Sequence, residues 1–123
     1  MRSNTYYRNI KPHVDAEISI ARLSLKQGLP EAAFLSLERA HVLGQESTTL
    51  HTRVHVEMLV WGLRQRSVKE VLGQLFRIVG AATKTSIGLV PHGNTGGSNV
   101  SPFKPMTITP ELADKISTAK SLR

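Results

Sequence analysis

The stretch Glu38 to Glu57, "ERAHVLGQESTTLHTRVHVE", decides how this chain folds. It carries three of the five histidines and reads as helix, turn, helix. Gly44 ends the first segment, and Ser47 is a good N-cap for the second. Only "GQE" joins them, and so short a connection makes the two helices antiparallel neighbours. With a rise of about 1.5 Å per residue, His41 and His51 lie at matching depths from the turn, with Glu38 and His55 one step further down. Residues three or four apart share a helix face, so Glu38 pairs with His41 and His51 with His55. Helical phase puts the first pair beside Phe34 and Leu37, and the second beside Val54, Met58 and Gly62. All four side chains are therefore expected to point toward the core.

Outward from this hairpin, apolar residues at Val14, Ile18, Ala21 and Leu25 predict a helix over 13–27, stopped at Gly28. Pro30 and Glu31 suit the first turn of the next helix, which runs to Gly44. The third helix runs from Ser47 to about Arg66. Ser67 with Glu70 reads as a capping box opening a fourth helix toward Lys84. Residues 25–40 also align without gaps on 63–78, so that Leu25 meets Leu63, Gln27 meets Gln65, Leu37 meets Leu75 and Arg39 meets Arg77. The first member is similar to the turn and second helix of a tetratricopeptide repeat. The expected fold is all-α: two antiparallel helical hairpins with tetratricopeptide-like packing, in a single domain over 1–123.

Within that domain, residues 85–108 form a Gly/Pro-rich segment whose apolar members imply an ordered crossing loop. A short helix follows, with Thr109 as cap and Pro110 at its first position. The glycine-rich part lacks the Lys-Ser/Thr of a Walker loop and is not a Rossmann turn. Gly96 and Gly97 allow close backbone approach and an amide nest for an anion, while Asn94 and Asn99 suit side-chain-fixed turns. His92, Asn94, Gly96 and Gly97 are the candidate lid contacts over the hairpin.

The chain has no cysteine, which excludes disulfides, zinc-thiolate sites and iron–sulfur clusters. His, Asp, Glu and Met remain as side-chain ligands, and nitrogen and oxygen donors without thiolate suit Zn, Fe, Ni or Cu(II). Glu38, His41, His51 and His55 are accordingly the candidate metal ligands, with Asp15 or Glu17 as further carboxylates. A Glu–His hydrogen-bond network bracing the hairpin fits the same four residues. "HTRVH" is not the zinc-protease signature, since Thr52 stands where a Glu base is needed. No enzymatic activity is assigned. His51 or His55 as acid–base with the Gly96–Gly97 amides would suit a small anionic ligand.

A formal charge of +7 favours anionic surroundings, but no nucleic-acid motif accompanies it, so a solvated basic surface is expected. The only cationic cluster, Arg64 to Lys69, sits at a turn and suits a protein-binding adaptor as the alternative role. The residues contain no secretory h-region and no apolar run of about eighteen, so a cytoplasmic protein without a membrane span is expected. The segments "ERAHVLGQ", "HVEMLVWGLRQR", "RIVGAATKT" and "VSPFKPM" together resemble a family of small bacterial proteins, the domain of unknown function numbered 3703. The resemblance implies one compact domain and no particular chemistry.

Overall fold

The computed structural model describes residues 2–82, 93–100 and 104–122, and these hold five helices and no strand. They are α1 (Arg2–Lys26), α2 (Pro30–Gly44), α3 (Thr48–Arg64), α4 (Val68–Ala82) and α5 (Pro110–Ser121). Each of the first three packs on the next in sequence, and α5 lies against α1 and α2. Among the described residues no helix is long and apolar enough to cross a membrane.

The largest departure from expectation is α1, which begins at residue 2 and not 13, with Pro12 inside it. Tyr6 and Ile10 extend the buried stripe of Val14, Ile18 and Ala21 upstream at helical spacing. Pro12 and Arg8 are exposed, so the Arg8 carbonyl left without an amide donor can reach water. The polar composition of the first dozen residues belongs to the outer face. Tyr6 also ties α1 to the end of α2, donating its hydroxyl to the buried Leu43 carbonyl at 2.9 Å. That carbonyl is one of the four that a helix end leaves unpaired.

α1 ends in a Schellman turn: Leu29 N–H donates to Ser24 O and Gly28 N–H to Leu25 O, with Gly28 at φ 75°. The same pair of bonds closes α3, from Ser67 N–H to Gly62 O and Arg66 N–H to Leu63 O. There the left-handed position is Arg66, at φ 54°, and the sequence alignment sets it opposite Gly28. α3 therefore stops at Arg64, two residues before the expected end.

Local capping follows the sequence in part. Ser47 Oγ accepts from Leu50 N–H at 3.4 Å, and Ser67 Oγ accepts from Glu70 N–H at 3.2 Å. The reciprocal half of the expected capping box is not made, because the Ser67 amide is spent on Gly62 O and the Glu70 carboxylate points inward. Thr109 makes no side-chain cap for α5. Asn9 of α1 instead satisfies the other end of α5, donating to Ala119 O at 3.0 Å and Leu122 O at 3.1 Å.

The core joins the α1 stripe to Ala33, Leu37 and Leu43 of α2, Leu50, Val54 and Met58 of α3, and Leu112 and Ile116 of α5. Met58 is fully buried, and Trp61 is half-buried, its ring tilted at 56° against Phe34 with centroids 4.5 Å apart and its Nε1–H donating to Pro30 O at 2.8 Å. α4 is turned the other way. Its polar Glu70 and Gln74 are buried, while Leu72, Leu75 and Phe76 are exposed. The alignment of Leu37 with Leu75 thus does not carry into packing, since one is buried and the other faces out.

An arginine in the left-handed region costs roughly 1–2 kcal/mol that glycine avoids, offset in part by the backbone entropy of glycine. Arg66→Gly should therefore stabilise the protein by about 0.5–1 kcal/mol, read as a higher midpoint in urea unfolding at unchanged slope.

Candidate metal centre

His41 on α2 and His51 and His55 on α3 converge because the turn between the helices is tight. Gly44 permits this: a Cβ there would stand 3.0 Å from Leu50 Cβ and 3.4 Å from Val14 Cγ2. The three Nε2 atoms form a nearly equilateral triangle, 3.1 Å from His41 to His55, 3.1 Å from His41 to His51 and 3.0 Å from His51 to His55. All three rings are buried, and their centroids stand 4.7–4.8 Å apart in edge-on or tilted pairs.

The other ring nitrogens set the proton positions. His41 Nδ1 lies 2.6 Å from the Asn94 carbonyl, which can only accept, so His41 carries its proton on Nδ1. His55 Nδ1 lies 2.6 Å from Gln74 Oε1. The amide orientation of Gln74 is in turn fixed by its Nε2, which donates to Glu70 Oε2 at 2.6 Å and to Gly96 O at 2.9 Å. His55 is therefore also an Nδ1–H tautomer, and both rings present an Nε2 lone pair to the centre. His51 has one proton at most to offer from its own Nε2 while neutral.

Neutrality is enforced by burial. Desolvation pushes His51 down to about 4 and His55 down to about 3, the latter also repelled by His51. His41 is driven well below its ordinary value by burial, then by His55 and His51. At neutral pH the centre is three uncharged imidazoles whose Nε2 atoms are aimed at one point, with lone pairs on those of His41 and His55.

A strap from the glycine-rich segment, residues 93–100, holds this arrangement from above. The Gly96 backbone lies against the His41 ring, where a Cβ would come within 2.4 Å of Cδ2, and its φ of 85° also favours glycine. Asn94 Oδ1 accepts from Gly96 N–H at 2.9 Å, so that amide is not free for an anion. Ser98 N–H donates to both Glu70 oxygens at 3.2 Å, and Arg77 donates to Val100 O at 2.9 Å. Gly97 lies against Phe34, where a Cβ would meet Cε2 at 2.8 Å. His92 lies outside the described residues.

The carboxylates behave differently from the histidines. The converging group is His41, His51 and His55. Glu38 is half-buried, and its carboxyl, raised above the ordinary range by burial, bonds to Thr95. It faces a cavity of ≈ 300 Å³ also lined by Arg39, Thr95, Ile108 and Leu112. Asp15 and Glu17 are engaged elsewhere, Asp15 with Lys11 and Arg53, and Glu17 with Arg39 at 2.9 Å. Glu57, on α3, is half-buried in a pair with Arg22 at 2.9 Å. Glu70, Gln74 and Arg77 of α4 were not anticipated as site residues. Their signal was present: they share the polar side of a helix whose other side is apolar.

Three nitrogens about 3 Å apart suit a single transition ion. His41, His51 and His55 would be its ligands, each through Nε2. The fold and this centre define a small all-helical protein with a buried three-histidine cluster that could hold a metal ion. The chain belongs to the family of proteins of unknown function DUF3703, whose model matches residues 8–116. No curated protein and no solved structure matches it.

The depressed histidines set the acid stability of the metal-free protein. An unfolded histidine takes its proton near pH 6.5, whereas His51 and His55 in the folded state wait until about 4 and about 3. The unfolded chain therefore binds more protons on acidification, and stability present above pH 6.5 is lost as the pH falls. Thermal midpoints should be flat from pH 8 to 7 and fall between pH 6.5 and 5, above the range where most carboxylates titrate. Replacing His55 by Gln should flatten that slope.

Proposed function

We propose that the protein binds one transition-metal ion through Nε2 of His41, His51 and His55, and that its role is metal handling or metal-dependent chemistry. One observation carries the reading. Two Nε2 lone pairs, on His41 and His55, face each other at 3.1 Å, and one His51 proton cannot bridge both well. A cation at the centre satisfies all three. A hydrogen-bonded histidine network does not, because its geometry would leave one acceptor facing another in a buried place.

The acceptors behind the rings support the same reading. Metal-bound histidines commonly donate their second N–H to a carbonyl or carboxylate, which fixes ring and tautomer. Here Asn94 O serves His41, and Gln74 relays Glu70 to His55. Glu70 also offsets the Arg77 cation, which would otherwise oppose a metal in this part of the fold. Donors of imidazole type without thiolate suit Zn, Fe, Ni or Cu.

An interaction scaffold of two stacked, tetratricopeptide-like hairpins is the second reading. It is favoured by the equivalent Schellman turns at Gly28 and Arg66, 38 positions apart.

Metal analysis of the purified protein decides between them. The expected result is one ion per chain after loading with Zn(II), Ni(II) or Cu(II) and desalting, and none in His41→Ala or His51→Ala/His55→Ala. Gln74→Leu, which removes only the support behind His55, should weaken affinity about 10–100-fold. Glu38→Gln should change it by less than tenfold, because its carboxyl is held by Thr95. Metal content unaffected by the histidine substitutions would contradict the proposal.

A further inference from the structure

α4 is an amphipathic helix mounted with its apolar side outward. Val68, Leu72, Leu75, Phe76 and Val79 are each 47–70% exposed, while the opposite side serves the histidine centre through Glu70 and Gln74. From the geometry of this outward face we infer that the protein is a homodimer, formed by antiparallel packing of α4 on α4 of a second copy.

Three observations select a second copy. First, Val68, Leu72, Leu75 and Val79 follow a four–three–four spacing with Phe76 beside them, which is the seam along which one helix fits another. No charged residue interrupts it. Second, these five side chains expose roughly 500–600 Å², most of the about 800 Å² per partner that a standard stable interface buries. A monomer has little reason to leave so long an apolar stripe in water.

Third, the charges placed among the described residues favour one orientation. Arg64, Arg66 and Lys69 are exposed at the start of α4, the positive end of its own helix dipole. The ion pairs among the described residues use other cations. The last turn of α4 has no basic residue of its own. An antiparallel copy lays the cationic turn of each chain beside the negative end of the other α4. Parallel packing would instead bring two cationic turns together. Val68 and Val79 are about 16 Å apart along the helix, so antiparallel pairing places Val68 of one copy near Val79 of the other.

The test is the solution mass of the full chain, by light scattering on a sizing column and by sedimentation at up to 100 µM. The expected mass is twice the 13.5 kDa of one chain. Leu72→Glu/Phe76→Glu should be monomeric with unchanged far-UV circular dichroism, and Leu35→Glu, an exposed leucine on α2, should stay dimeric. The chain has no cysteine, so single cysteines report orientation. Val68→Cys and Val79→Cys chains should cross-link to each other when mixed, and neither to itself. A monomer at 100 µM overturns the inference, including one that pellets with anionic vesicles through the same face. So does a dimer that survives Leu72→Glu/Phe76→Glu, or one in which Val68→Cys cross-links to itself.

Discussion

Three neutral imidazoles meeting nitrogen to nitrogen at 3.0–3.1 Å impose the main constraint on this fold. Bringing two lone pairs together in a buried place is unfavourable, and the surrounding structure is organised to enforce it. Gly44 lets α2 and α3 approach, Asn94 O and Gln74 Oε1 lock two tautomers, and Gly96 lies flat on the His41 ring. Each contact constrains a degree of freedom that would otherwise let the rings turn apart. Such preorganisation suits a site whose ligands must be held in productive geometry before the ion arrives.

The same constraint accounts for the inverted helix. α4 must deliver Glu70, Gln74 and Arg77 inward to carry the strap and the His55 acceptor. Its apolar side is then necessarily turned out. The site and the exposed face are two consequences of one helix orientation, so a partner on α4 would also steady the residues behind His55. The strap closes this arrangement. Within residues 94–98 it supplies the acceptor for His41, an acceptor for Gln74 and a donor to Glu70.

Much of this was legible in the sequence, and the parts that were not have physical reasons. The hairpin could be read because its turn is short and its histidines fall at helical spacing, so that depth and phase fix their meeting. Asn94 and Gly96 stood out as turn-formers, and both touch the centre, although Asn94 acts through its backbone oxygen. The start of α1 was hidden by Pro12, since a proline on an exposed helix face costs less than one whose freed carbonyl is buried. The orientation of α4 was hidden by its pattern, because an apolar stripe shows that a face is covered but not by what. Charge alone makes Asp15 and Glu17 ligand candidates, but each is paired with an arginine opposite it, Arg53 and Arg39.

The site depends on two Nδ1–H tautomers, at His41 and His55, and on one centre shared by three rings. Long-range ¹H–¹⁵N spectra of the histidine side chains at pH 7 test both together. Without metal, His41 and His55 should appear as neutral Nδ1–H tautomers, and one equivalent of Zn(II) should shift Nε2 of His41, His51 and His55 in concert. Nε2–H tautomers at His41 and His55, an imidazolium among the three, or a shift confined to one ring would contradict this arrangement.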